Sequence, residues 1–285
     1  MSKRPPVPSS AGWPNAIDRA LDRATLALRM QRPDEAERIA ADVLKANRGN
    51  ARAAQVLGQA LLMQNRPVEA IAPLERAARR NGDPAIETLL ATALAAAGRR
   101  DEALDQLRRT TARRPPFAPA FLEHGGQLAS TGRFEEANAV LESGLSFAPD
   151  SVELRMELGF LHLKRNNRAK ARAMLSQALA AAPERSDVLA ALARVMALDG
   201  EYAAAADLFR RALGLRPDDV MSRNNLGLCL LEMGQREAGE ASLRAVARGA
   251  PQIAGLAITS LATASHGRFF LRPSAAAKFL RVERT

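Results

Sequence analysis

A proline returns at a fixed interval along this chain. Pro115, Pro149, Pro183, Pro217 and Pro251 each stand 34 residues from the next. Gly98, Gly132, Gly200 and Gly234 keep the same beat, with Asn65 and Asn166 in the corresponding place of two further copies. Small residues recur in register at Ala36, Ala70, Ala103, Ala137, Ala171 and Ala205, with Gly239 in the last copy. A unit of 20–50 residues is too short to bury a core alone, so such units stack and share one between neighbours. A single compact core, near its size limit at 285 residues, is the weaker expectation.

Each period predicts two helices. From Ser186, the residues Leu189, Leu192, Val195 and Met196 fall on one helical face. Asp199 and Gly200 break that helix. The stretch GEYAAAADLFRRALGLRP, from Gly200, then carries Tyr202, Ala205, Phe209, Ala212 and Leu213 before Arg216 and Pro217 stop it. Its alanines suit close approach of another helix, while Phe209 and Leu213 fill the gap to neighbouring units. Composition agrees: the chain is 47% hydrophobic but only 4% aromatic, so its core is Ala, Leu, Val and Met, which favour closely packed helices.

The pattern resembles the tetratricopeptide repeat family. That signature places Leu and Gly seventh and eighth, small residues twentieth and twenty-seventh, and Pro thirty-second. Here Leu57 with Gly58, Leu158 with Gly159, and Leu226 with Gly227 match the first pair. Ala70 with Ala77, Ala171 with Ala178, and Ala205 with Ala212 match the small positions. The resemblance implies an all-α, right-handed superhelical solenoid of about seven helix-turn-helix units plus a C-terminal capping helix. The expected units are 17–50, 51–83, 84–117, 118–151, 152–185, 186–219 and 220–253, the second one residue short. Residues 1–16 are expected to be a disordered, basic, proline-rich tail, and 254–285 a capping helix and aromatic tail. Departures are local: His124 replaces the usual Leu, and Thr110 and Gly144 replace small alanines.

Several function classes are disfavoured. The three histidines, His124, His162 and His266, fall in different units, and no HExxH, GxSxG, phosphate-binding glycine loop or CxxC occurs. Cys229 is alone, so neither an internal disulfide nor a multi-cysteine metal site is available. The acidic pairs Asp101–Glu102 and Glu135–Glu136 open second helices, and Arg79–Arg80, Arg113–Arg114, Arg210–Arg211, Arg216 and Arg248 are expected in their last turns. Both placements suit the helix macrodipole and require no active site. No enzyme activity, cofactor or metal is therefore expected. The charge of +10 and pI near 10.9 raise nucleic acid and anionic membrane as partners. The thirty-six arginines against five lysines fit a bacterial coding bias equally, and no aromatics interleave with them as single-strand binding favours. The N-terminal basic residues are followed by no apolar run, and no 18-residue uncharged apolar stretch occurs, so a cytoplasmic protein is expected.

In the resembled family the first helices line a concave binding surface. Carried over by position, this implies peptide-binding roles for Gln55, Gln59, Thr88, Thr92, Leu122, Met156, Phe160, Lys164, Arg194 and Asn224. No unit has Lys at its fifth place, so the carboxylate clamp of one family subgroup is not expected. The expected function is a scaffold that binds a protein or peptide in this groove. The alternatives are an accessory array of a glycosyl- or sulfo-transferase system, whose catalytic domain residues 254–285 are too few to supply, and nucleic-acid or membrane association through a basic convex face. Phe269, Phe270, Leu271, Phe279 and Leu280 are expected to fold over the last repeat, with Gly267 ending one helix and Ser274 capping another that ends near Arg281. A homodimer contact or docking segment is the alternative for this stretch.

Overall fold

The computed structural model describes residues 16–268 and 272–280. Every regular element among them is helical. The helices are α1 (Ala16–Arg29), α2 (Pro33–Ala46), α3 (Ala51–Met63), α4 (Pro67–Asn81), α5 (Pro84–Ala96), α6 (Arg100–Thr111), α7 (Ala118–Ser130) and α8 (Phe134–Phe147). They continue with α9 (Val152–Lys164), α10 (Arg168–Ala181), α11 (Ser186–Leu198), α12 (Tyr202–Leu215), α13 (Val220–Glu232), α14 (Arg236–Gly249), α15 (Ala254–Thr263) and α16 (Pro273–Leu280), with a single 3-10 turn at Pro251–Ile253. The chain forms two compact units, Met1–Val140 and Leu141–Thr285.

The turn inside each helical pair explains the punctuation. Asn65, Gly98, Gly132, Asn166, Gly200 and Gly234 all adopt positive φ, between 55° and 83°. That left-handed conformation reverses the chain, and glycine and asparagine accept it most readily. At Asn65 the reversal is closed by Arg66 N–H donating to Leu61 O at 2.9 Å and Asn65 N–H donating to Leu62 O at 3.0 Å. The same six-to-one bond recurs from Arg99 to Leu94, Asn167 to His162, and Gln235 to Leu230. Gln31 takes the equivalent position in the first pair with φ 58°, although nothing in its side chain favours that conformation.

The start of each helix has its own chemistry. Asn50, Asp83, Ser151 and Asp219 accept backbone N–H bonds at the starts of α3, α5, α9 and α13, satisfying donors that the helix leaves unpaired. Three second helices, α4, α6 and α8, instead begin with an arginine three residues before a glutamate. Arg66 with Glu69, Arg99 with Glu102, and Arg133 with Glu136 form paired guanidinium–carboxylate bonds of 2.6–2.7 Å. These bonds hold all three carboxyls below the usual carboxylate range. The acidic residues thus serve a paired helix start as well as the macrodipole.

Packing is sequential. Within the first unit each of α1 to α6 packs on its successor, and α3 also touches α5, and α5 touches α7. Leu61, Leu74, Ile86, Leu90, Leu94 and Leu107 form the principal buried cluster there. In the second unit the runs α9 to α15 pack likewise, with Leu175, Leu192 and Val195 in one cluster and Phe209 with Ala193, Ala205 and Cys229 in another. Phe209 is completely buried.

The expected arginine placement needs two corrections. Arg113 and Arg114 lie beyond the end of α6, as Arg216 lies just beyond α12, and Arg113 pairs with Glu87 of α5. Thr110, completely buried, also reaches Glu87 Oε2 at 3.1 Å, so a polar residue at this small position is satisfied. Arg210 and Arg211 sit before the last turn of α12, and Arg210 pairs with Asp207.

Candidate functional site

The residues expected to line a groove fall on first helices in both units. In the first unit Gln55 and Gln59 are half-buried on α3, Thr88 and Thr92 half-buried on α5, and Leu122 half-buried on α7. Because α3 touches α5 and α5 touches α7, these side chains belong to one continuous run of helices. The threonine hydroxyls donate to their own helix, Thr88 to Pro84 O at 2.7 Å and Thr92 to Thr88 O at 3.2 Å. They retain lone pairs and can still accept a bond from a ligand.

In the second unit Met156, Phe160 and Lys164 follow each other at four-residue spacing along α9, one face of the helix. Met156, Phe160 and Leu163 pack at the edge of the cluster formed by Ala191, Leu192 and Val195 of α11. Phe160 is only half-buried, so part of its ring stays accessible. Lys164 and Arg194 are exposed. The apolar strip is bounded at one end by an ion cluster. Arg185, before α11, donates to Glu153 of α9 and to Asp187 of α11, and its guanidinium lies 3.8 Å from Met156 Sδ. Hydrogen bonds from Arg185 hold both carboxyls below their usual range. Sequence reasoning missed Arg185 because it lies in the turn between units, where no family position marks it.

Asn224 does not belong to an accessible lining. It is 2% exposed, and its amide donates to Ser260 Oγ of α15 at 3.0 Å, while Ser260 Oγ lies 3.3 Å from Asn224 Oδ1. The position that an adjacent array would leave open is covered here by α15, which packs on α13.

Two of the three histidines and the single cysteine are buried. His124 and His162 are 7% and 6% exposed, and neither Nδ1 has a hydrogen-bond partner among the described residues. Burial lowers His162, and burial with the neighbouring Arg108 and Arg133 lowers His124 to about 4, so both are neutral at pH 7. Cys229 is 1% exposed and burial pushes its thiol up to about 11, the opposite of a nucleophilic cysteine. Among the described residues no three His, Cys, Asp or Glu side chains converge as a metal site. No described helix is long and apolar enough to cross a membrane.

The C-terminal segment is tied down through a buried carboxylate. Glu240 of α14 is 5% exposed and pairs with Arg236, Arg244 and Arg268. Arg244 and Arg268 both stack on Phe279, at 5.1 and 4.9 Å from its centroid. Leu280 is completely buried against Leu231, Leu243 and Leu261, so α16 covers the apolar surface at the end of this unit. Phe269, Phe270, Leu271 and Arg281 lie outside the described residues, as do residues 1–15.

Comparison with known proteins agrees with this geometry. Family models described as tetratricopeptide repeat match residues 21–85 and 88–152, 128–195, and 187–211. No curated protein matches the sequence. The fold resembles a chain of the APC/C hetero-tetramer Cut9–Hcn1, with TM-score 0.66 at 18% identity over 87% of this chain. This chain spans 50% of that one. It also resembles TTC0263, a thermophilic TPR protein of Thermus thermophilus, with TM-score 0.55 and 25% identity, covering 64% of this chain and 100% of that one. Pseudomonas aeruginosa pilF gives TM-score 0.60 at 19% identity over 70% and 92% of the two chains. Helical pairs reversed at Asn or Gly, small residues packed at a constant register, and family matches over more than half of the sequence converge on one assignment: the chain belongs to the tetratricopeptide repeat family.

Proposed function

We propose that this protein is a non-catalytic scaffold that takes a peptide segment of a protein partner on the first-helix face of its second unit, with Phe160 at the centre. The carrying observation is the half-exposed strip of Met156, Phe160 and Leu163 on α9, supported from behind by Leu192 and Val195. A rigidly backed aromatic beside adaptable methionine and leucine is the usual composition of a binding hot spot. Lys164 and Arg194 beside it supply charge for orientation. Family membership supports the reading, since tetratricopeptide folds commonly serve protein–protein contact. In the first unit Gln55, Gln59, Thr88, Thr92 and Leu122 stand on the corresponding first helices α3, α5 and α7.

The test is photo-crosslinking from a probe placed at Lys164 in the native cell, followed by partner capture with wild-type protein and with Phe160→Ala. Partners joined to α9 or α11 and lost in Phe160→Ala, with melting unchanged, support the site. Equal capture by the variant overturns it. So does unfolding by the roughly 3–5 kcal/mol expected when a wholly buried phenylalanine is truncated.

A further inference from the structure

We infer that the first unit carries a second, independent docking surface, a basic cleft that fits an acidic segment with interspersed apolar residues. The cleft has a volume of about 680 Å³ and lies between α2 and α4, over α3. Its rim is Lys45, Arg48, Arg76 and Arg80, all exposed. Its floor includes Leu44, Leu57 and Pro73.

Three of the four charges on this rim are uncompensated. Lys45 pairs with Asp42 at 3.0 Å, but Arg48, Arg76 and Arg80 have no carboxylate partner among the described residues. A neighbouring cleft of about 630 Å³ shows the contrast. It is lined by Glu75, Glu87, Glu102 and Asp105 as well as by Arg79 and Arg113, and these charges pair with one another or with adjacent arginines. That cleft neutralises itself, whereas the basic one needs an external anion. The macrodipole accounts for Arg80 in the last turn of α4, but not for Arg48 and Arg76 meeting it at the same opening.

Two local features build the cleft. Pro73 sits inside α4, where it gives up a backbone hydrogen bond and contributes an apolar ring to the lining. Arg80 lies beside the turn between α2 and α3, where a Cβ built on Gly49 would stand 3.2 Å from Arg80 Nη1. An apolar floor beneath an arginine rim matches carboxylates alternating with leucine-like side chains. It suits nucleic acid less well, because no aromatic platform for base stacking lines it.

The proposal is tested by fluorescence anisotropy with a labelled peptide alternating Glu and Leu pairs. Comparison probes are the same peptide with Ser for Leu and an oligouridylate of equal charge. Wild type is expected to bind the Glu–Leu peptide saturably. Arg76→Gln with Arg80→Gln should weaken binding at least about tenfold, and the Ser peptide should weaken similarly. Phe160→Ala should leave this binding unchanged, so failure here is distinguishable from failure at the α9 strip. Both arginines are exposed, and a melting curve verifies that the double variant stays folded. Absent saturable binding, affinity unaffected by the double substitution, or equal arginine-dependent binding of the oligouridylate would overturn the inference.

Discussion

Gly159 and Leu175 meet across the α9–α10 pair so closely that a Cβ built on the glycine would lie 2.8 Å from Leu175 Cγ. The same relation, sixteen residues apart, joins Gly58 to Leu74 at 2.8 Å and Gly227 to Leu243 at 2.9 Å. Where the second partner is Ala40, the first is Ala24, and both are completely buried. Three repeats therefore fill the space between their two helices by pairing a missing side chain with a leucine, and the first repeat does so with two alanines. Gly159→Leu should destabilise by roughly 1–3 kcal/mol through overpacking, read as a lower denaturation midpoint. Gly159→Ala combined with Leu175→Ala should cost less than the sum of the single changes, because the two compete for one volume.

Acid should loosen the first unit through His124. Burial and the nearby Arg108 and Arg133, opposed by Glu136, lower this imidazole from its ordinary value of 6.5 to about 4. The unfolded chain therefore binds a proton that the folded chain refuses between those two pH values. Stability is full above about pH 6.5 and falls as pH drops towards 4, by an amount on the order of 2–3 kcal/mol. His124→Leu restores an apolar side chain at a buried position and should flatten this part of the stability–pH curve. Urea denaturation at pH 5 and pH 7 measures the difference; an unchanged slope in the variant would refute the assignment.

The C-terminal helix should detach when its carboxylate anchor is removed. Burial pushes Glu240 upward, but hydrogen bonds from Arg268 and Arg236 outweigh it and hold the carboxyl below its usual range. A depressed carboxyl stabilises above its unfolded value and loses that contribution as pH falls through the folded one. Arg268→Ala removes both the ion pair to Glu240 and one face of the Phe279 stack. Hydrogen exchange in residues 273–280 should accelerate, while α9 to α12 keep wild-type protection. Equal acceleration throughout the second unit would show that α16 is integral to its core rather than a cap over it.

The parts legible in the sequence are those that repeat. Glycine and asparagine at the turns announce themselves because left-handed backbone restricts which residues fit, whereas the partner of Gly159, Leu175, emerges only from the packing. Gln31 was not legible: it takes the same backbone conformation without a side chain that signals it. Arg185 and Arg113 were missed or misplaced for a related reason, since pairing partners 32 and 26 residues away are set by how units stack. The basic cleft is likewise assembled from α2, α3 and α4, and no single stretch displays it.

Asn224 provides the sharpest test of structure against positional expectation. If it faced a ligand, removing its partner on α15 would leave folding untouched. In the structure both ends of its amide are engaged with Ser260, and the pair is buried, 2% and 5% exposed. Ser260→Ala should therefore strand a buried amide and destabilise the second unit by about 1–3 kcal/mol. Asn224→Leu with Ser260→Ala removes both polar partners together and should recover part of that loss, since no donor or acceptor is left unsatisfied. The coupling between the two changes is the measurement, taken from denaturation midpoints of the four members of the cycle. Additive effects would mean that Asn224 and Ser260 do not depend on each other, and the hydrogen bond between them would not be what holds Asn224 in the interior.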